Sequence, residues 1–189
     1  MIHCAASYNS SYGGDRLDSV NRGLYVVMGV SGVGKSVVGA ALARALDVGF
    51  VEGDEYHPPD NVERMSRGVP LTDEDRAGWL RALAARIGEA RTAGTGLVMA
   101  CSALKRSYRD VLRAEAPELQ FVFLKGPRTL IAERLAGRRG HYMPASLLES
   151  QLATLEEPSP DEHAWVCDIR EKPRDLVASL VARLDRAPA

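Results

Sequence analysis

The residues with the clearest chemical signature stand near the start of the chain. Gly29-Val30-Ser31-Gly32-Val33-Gly34-Lys35-Ser36 fits the pattern G-x-x-x-x-G-K-[ST] and leads into a helical stretch at residues 37–46. Glycines at these positions let successive backbone N–H groups turn inward around an anion, and the helix behind them adds the positive end of its dipole. Lys35 would reach the β- and γ-phosphates of a nucleoside triphosphate, and the Ser36 hydroxyl would ligate Mg2+. The implied donor is ATP or GTP.

Switches, motors and small-molecule kinases all use this motif, so the rest of the chain must separate them. The Asn-Lys-x-Asp signature of switch GTPases is missing, and the apolar run at 97–101 ends in Cys101-Ser102-Ala103 rather than in the aspartate a motor would need. A second polar concentration, Glu52-Gly53-Asp54-Glu55-Tyr56-His57-Pro58-Pro59-Asp60-Asn61, follows an apolar run. In an open α/β sheet that position faces the ligand crevice.

The elements that must position these groups are legible from periodicity. Residues 24–28 form a continuous apolar run closed by glycine, as expected of a strand buried on both faces of a parallel sheet. Runs of the same type recur at 50–52, 97–101, 121–124 and 165–169. Helical patterns lie between them; over 77–91, Leu80, Leu83, Ala84 and Ile87 share one face, with Thr72 or Asp73 able to cap the start. Pro127 and Pro173 mark two further helix starts. The alternation predicts an α/β fold, a five-stranded parallel sheet flanked by helices, with Trp79, Leu80, Leu83 and Trp165 in its packing. Two polar segments interrupt it, at 53–75 and 137–144, and loops carried on a rigid sheet are where binding and chemistry concentrate.

Four blocks of the chain resemble the gluconokinases, within the three-layer P-loop kinases that include shikimate and nucleoside monophosphate kinases. They are MGVSGVGKS (28–36), EGDEYHPPDNVERMSRGVPLTDEDRAGWL (52–80), CSALKRSYRDVLR (101–113) and RLAGRRGHYMPASLLESQLATLEEP (134–158). Gly78 replaces a proline usual in the family, expected to alter only a helix start, and Glu52 stands where aspartate is frequent. The resemblance implies transfer of the ATP γ-phosphoryl group to the 6-hydroxyl of D-gluconate, with a substrate-binding insertion at 53–75 and a lid at 137–144 that excludes water. A homodimer and an adenine site near 169–173 are implied by the same analogy.

Within this frame Asp54 is the candidate to accept the hydroxyl proton and aim the oxygen at phosphorus. Glu52, two residues earlier and expected on the same strand face, would hold the Mg2+ shell through water. His57 and Ser102 would orient the acceptor. Its carboxylate calls for a cation, and Arg64, Arg76 and Lys105 remain equal candidates. Arg134 and Arg138, four apart, would place guanidinium charge on the transferring phosphoryl oxygens. The alternatives are a kinase of another small hydroxy acid such as shikimate, or a module that holds ATP without turnover.

Composition narrows the remaining classes. The 189 residues fit about one domain, at 23–186, preceded by a polar tail at 1–22 with neither a basic start nor an apolar core. Lys and Arg number 24 against 25 Asp and Glu, so no global field attracts nucleic acid or an anionic membrane. No apolar run reaches the ~18 residues of a transmembrane helix. Cys4, Cys101 and Cys167 are too few and scattered for a disulfide framework, which suggests the cytosol.

Overall fold

The structure is a computed structural model that describes residues 23–137 and 146–185. The described chain runs β1 (Leu24–Met28), α1 (Lys35–Leu46), β2 (Gly49–Glu52), a 3-10 turn (Gly53–Tyr56), α2 (Pro59–Ser66), α3 (Asp73–Ala93), β3 (Leu97–Ala100), α4 (Arg106–Arg113), β4 (Gln120–Lys125), α5 (Arg128–Ala136), α6 (Ser146–Thr154), a short turn (Pro160–Glu162), β5 (Trp165–Asp168) and α7 (Pro173–Leu184).

The strands form one parallel five-stranded sheet in the order β2-β3-β1-β4-β5. The central strand β1 explains why an unbroken apolar run was needed. Tyr25 and Val27 point into one layer, with Val38 and Leu42 of α1 and Leu176 and Leu180 of α7. Leu24, Val26 and Met28 point into the other, with Leu83 and Ile87 of α3 and Leu112 of α4. The period-2 alternation of a strand feeds both layers, and both must be apolar. The order places β1 between β3 and β4, so the turns after β1, β2 and β3 meet along one edge.

α1 starts two residues before the expected stretch, whereas α3 starts at the Thr72 cap that the sequence offered. α1 begins at Lys35, and α3 begins at Asp73, where the Thr72 hydroxyl accepts from the Asp75 N–H and the Asp75 carboxylate accepts from the Thr72 N–H. That reciprocal cap satisfies two donors that a helix start otherwise leaves open. Gly78 therefore lies inside α3, not at its start. β2 closes at Glu52, so Asp54 sits in the 3-10 turn and does not share a strand face with Glu52. Among the described residues no helix is long and apolar enough to cross a membrane. The tail at 1–22, Arg138, and the lid beyond Gly137 lie outside the described residues.

Candidate active site

The loop after β1 takes its shape from glycine backbone. Gly32 (φ 88°) and Gly34 (φ 99°) occupy the left-handed region that other residues rarely adopt. A Cβ on Gly32 would stand 2.8 Å from Leu135 Cγ, whereas one on Gly34 would meet nothing within 4 Å, so the loop packs on α5 at one point and opens on a hollow at the other. Lys35 Nζ donates to Val30 O (3.2 Å), curling across the loop, and the Gly29 N–H reaches Ser102 O (3.3 Å), tying the cradle to the end of β3. The Ser31 N–H donates to Gln151 Oε1 of α6 at 2.6 Å.

The acids after β2 approach this loop from the side. The Ser36 hydroxyl hydrogen-bonds the Glu52 carboxylate; burial pushes the Glu52 pKa up, and neighbouring Asp54 adds to that, against the pull of Ser36 and Lys35. A hydroxyl and a carboxylate already in contact fit the protein's share of a Mg2+ shell, an ion that takes few protein ligands and fills its octahedron with water and phosphate oxygens. Cys101, beneath them, is fully buried, and desolvation moves its thiol up to about 12, so it supplies no nucleophile.

A cleft of about 30 Å3 brings together Lys35, Asp54, His57, Arg76 and Ser102 with Ser31, Trp79 and Gln151. His57 lies flat against Trp79, ring centroids 4.1 Å apart, and Trp79 Nε1 donates to Gly53 O at 2.7 Å, which pins the turn carrying Asp54. Burial lowers the His57 pKa, with Arg76 acting in the same direction and Asp54 opposing, so the imidazole is neutral at pH 7. Its buried Nδ1 has no partner within the described structure.

The three basic candidates are placed differently. Arg64 pairs with Asp75 (2.8 Å) and Lys105 with Asp73 (2.7 Å), both at the first turn of α3. Arg76 donates to Leu71 O (2.6 Å) and lies 5.8 Å from the Tyr108 ring, and among the described residues no carboxylate pairs with it. It lines the cleft; Arg64 and Lys105 do not.

A larger cleft of about 380 Å3 opens on the other side of the loop, lined by Gly34, Val37, Arg134, Ile169, Pro173 and Leu176 among others. Arg134 donates to Ile169 O (2.7 Å) and to Val33 O (3.4 Å). Its guanidinium is thus engaged with backbone carbonyls, a placement set by α5 ending beside the loop.

Comparison with known proteins fits this geometry. A family model described as an AAA domain matches residues 24–158. The gluconokinase of Gluconobacter oxydans is 55% identical over 137 residues, 72% of this chain and 77% of that one. The chain belongs to the gluconokinase family. The thermoresistant gluconokinase of Escherichia coli is 44% identical over 160 residues, 84% and 91% of the two chains. A crystal structure of a gluconokinase from Sinorhizobium meliloti superposes with a TM-score of 0.78 at 48% identity, covering 87% of this chain and 93% of that one.

Two features of this gluconokinase-family site lay beyond sequence reasoning. Trp79 reads as core by its spacing, yet it also forms a wall of the cleft; the signal was its indole N–H, which needs a partner when buried. The second is an ionic knot below Ser102. Arg109 donates to the Glu162 carboxylate (2.8 Å), Glu156 O (2.9 Å) and Ala103 O (3.1 Å), holding Ala103 at φ 43°. The knot fixes the turn that presents Ser102 and the chain that leaves α6.

Proposed function

We propose that this chain transfers the γ-phosphoryl group of ATP to the 6-hydroxyl of D-gluconate, giving 6-phospho-D-gluconate and ADP. The observation that carries the reading is the small cleft, where a carboxylate (Asp54), an imidazole (His57) and an arginine (Arg76) face the phosphate loop, the imidazole Nδ1 without a partner and the arginine without a carboxylate partner among the described residues. A hydroxy acid needs these three together. Arg76 offers the planar donor pair that suits a carboxylate, and His57 and Ser102 orient hydroxyls. Asp54 accepts the hydroxyl proton and aims the oxygen.

On the donor side, the loop from Gly29 through Val30, Ser31, Gly32, Val33 and Gly34 to Lys35 presents the N–H groups after Gly29 and one ammonium to the phosphates, and the apolar cleft at Val37, Ile169 and Pro173 receives adenine. Ser36 and Glu52 would hold Mg2+, which when bound neutralises phosphate charge. Arg64 and Lys105 act through α3, fixing the turn that starts it, and Arg138 would add charge from the lid. The acceptor cleft at about 30 Å3 is far below the ~300 Å3 of a ligand pocket, so its walls part as gluconate enters. Cys101 and Cys167 are free and buried, which supports a reducing, cytoplasmic setting.

The test is ADP release from Mg·ATP with D-gluconate, shikimate, glycerate and nucleoside monophosphates added singly. Gluconate alone should stimulate, and Lys35→Ala and Asp54→Asn proteins of unchanged fold should lose about 10²–10⁴-fold in rate. Stimulation by another acceptor and not by gluconate would transfer the assignment to that acceptor.

A further inference from the structure

Arg76 lines the small cleft with no carboxylate partner among the described residues, although Asp73 stands three residues earlier in the same helix. Residues at that spacing are neighbours on a helix surface, where an aspartate and an arginine can pair. The two do sense each other. The Lys105 bond first, then the Tyr108 bond, hold the Asp73 carboxyl below its ordinary pKa, and the charge of Arg76 contributes from farther off. What stands between them is the phenol of Tyr108.

Tyr108 lies in α4 and is 4% exposed. Its hydroxyl donates to Asp73 Oδ1, and Arg76 Nη1 reaches the same oxygen at 3.4 Å. An ionised carboxylate only accepts, so the one phenol proton points at Asp73 and the oxygen turns its lone pairs to Arg76. Burial, and after it the bond to Asp73, push the phenol pKa up, which keeps that proton in place at neutral pH. Lys105 Nζ occupies both oxygens of Asp73 from the other side, at 2.9 and 2.7 Å. The Tyr108 ring has both cations beside it, Lys105 at 5.6 Å and Arg76 at 5.8 Å from its centroid.

Arg76 is thus held by one corner. Among the described residues its hydrogen bonds all leave from Nη1, to Leu71 O (2.6 Å), Thr72 O (3.4 Å) and the Tyr108 hydroxyl. The Nε–Nη2 edge, whose two parallel N–H groups match a carboxylate, is left over.

We propose that Tyr108 is a positioning residue for acceptor binding: its phenol oxygen stands between Asp73 and Arg76, leaves the helix's own carboxylate to Lys105, and so keeps the Nε–Nη2 edge of Arg76 open for the carboxylate of the acceptor. That the acceptor is a hydroxy acid rests on the reading above. An arginine already paired with Asp73 would take that ligand only by giving up an ion pair.

Crystal structures of the unliganded parent and Tyr108→Phe proteins give the first test. Loss of the phenol oxygen should let Arg76 close on Asp73 to ion-pair distance, and an Arg76 unmoved in the variant would overturn the separation. In gluconate-dependent ADP release, Tyr108→Phe should raise KM for gluconate about three- to fivefold, with kcat and KM for ATP unchanged. Adding Asp73→Asn should return that KM to the parental value, because no carboxylate remains to capture Arg76. A merely structural role predicts the reverse, since the second substitution removes further bonds from the same cluster. Parental KM in Tyr108→Phe, or no recovery in the double variant, would overturn the positioning role. A parent protein that ignores gluconate would overturn the acceptor reading itself, and the two crystal structures would still decide the separation.

Discussion

The ionic knot at Arg109 and the acid turn at Glu52 and Asp54 treat buried charge in opposite ways. Glu162 is 4% exposed, but its carboxylate meets Arg109 through two nitrogens and accepts from the Ser159 N–H, and these bonds, Arg109 first, hold its pKa down at about 2. Glu52 has a hydroxyl and a more distant lysine against its own desolvation and a neighbouring aspartate, and burial wins. A charge that only holds chain segments together can be fully satisfied where it lies. Glu52 is left under-satisfied where it lies, as groups at functional sites often are, and the fold bears that cost.

The largest effect is expected from breaking the knot. Arg109→Ala leaves Glu162 buried and unpaired, and should cost about 3–5 kcal/mol in urea unfolding. Arg109→Met combined with Glu162→Leu should recover most of it, because the pair owes much of its effect to mutual desolvation; failure to recover would mean that the bonds to Ala103 O and Glu156 O dominate. The sign of the pH dependence follows. The folded pKa of about 2 lies below the ordinary 4.5, so the stabilisation is present above 4.5 and is lost as pH falls toward 2. Acid titration of the melting temperature should show that loss in the parent and not in the double variant.

Glu52→Gln should act in the reverse sense. Its folded pKa is raised, so the ionised group opposes folding above that pKa, and the opposition fades as pH falls through it. The neutral variant should melt a few degrees higher at pH 7 while losing phosphoryl transfer. A lower melting temperature would mean the Ser36 bond outweighs desolvation, and the contrast with Glu162 would fail. The smallest effect is a control outside both regions. Gly78→Ala, at an exposed site in α3 where a Cβ meets nothing within 4 Å, should add about 0.5–1 kcal/mol with activity unchanged.

The donor half was legible in the sequence because it is local: eight consecutive residues make the cradle, and the strand before and helix after them confirm the reading. The sheet was legible for a related reason, since each strand buried on both faces announces itself as an unbroken apolar run. The small cleft is lined by residues far apart in the chain, among them Asp54, Arg76 and Ser102, which the β2-β3-β1 order brings together. Spacing cannot report which of Arg64, Arg76 and Lys105 lacks a carboxylate neighbour, because Asp73 and Asp75 choose their partners in three dimensions. The first turn of α3 carries no apolar stripe, and there the capping residue Thr72, not periodicity, marks the helix start.

Arg134 acts as a crossbar. By bonding Val33 O on one wall and Ile169 O on the other, it ties the phosphate loop to the β5–α7 turn across the larger cleft and sets that cleft's width. A slot of fixed gauge spends little binding energy on closing around its guest.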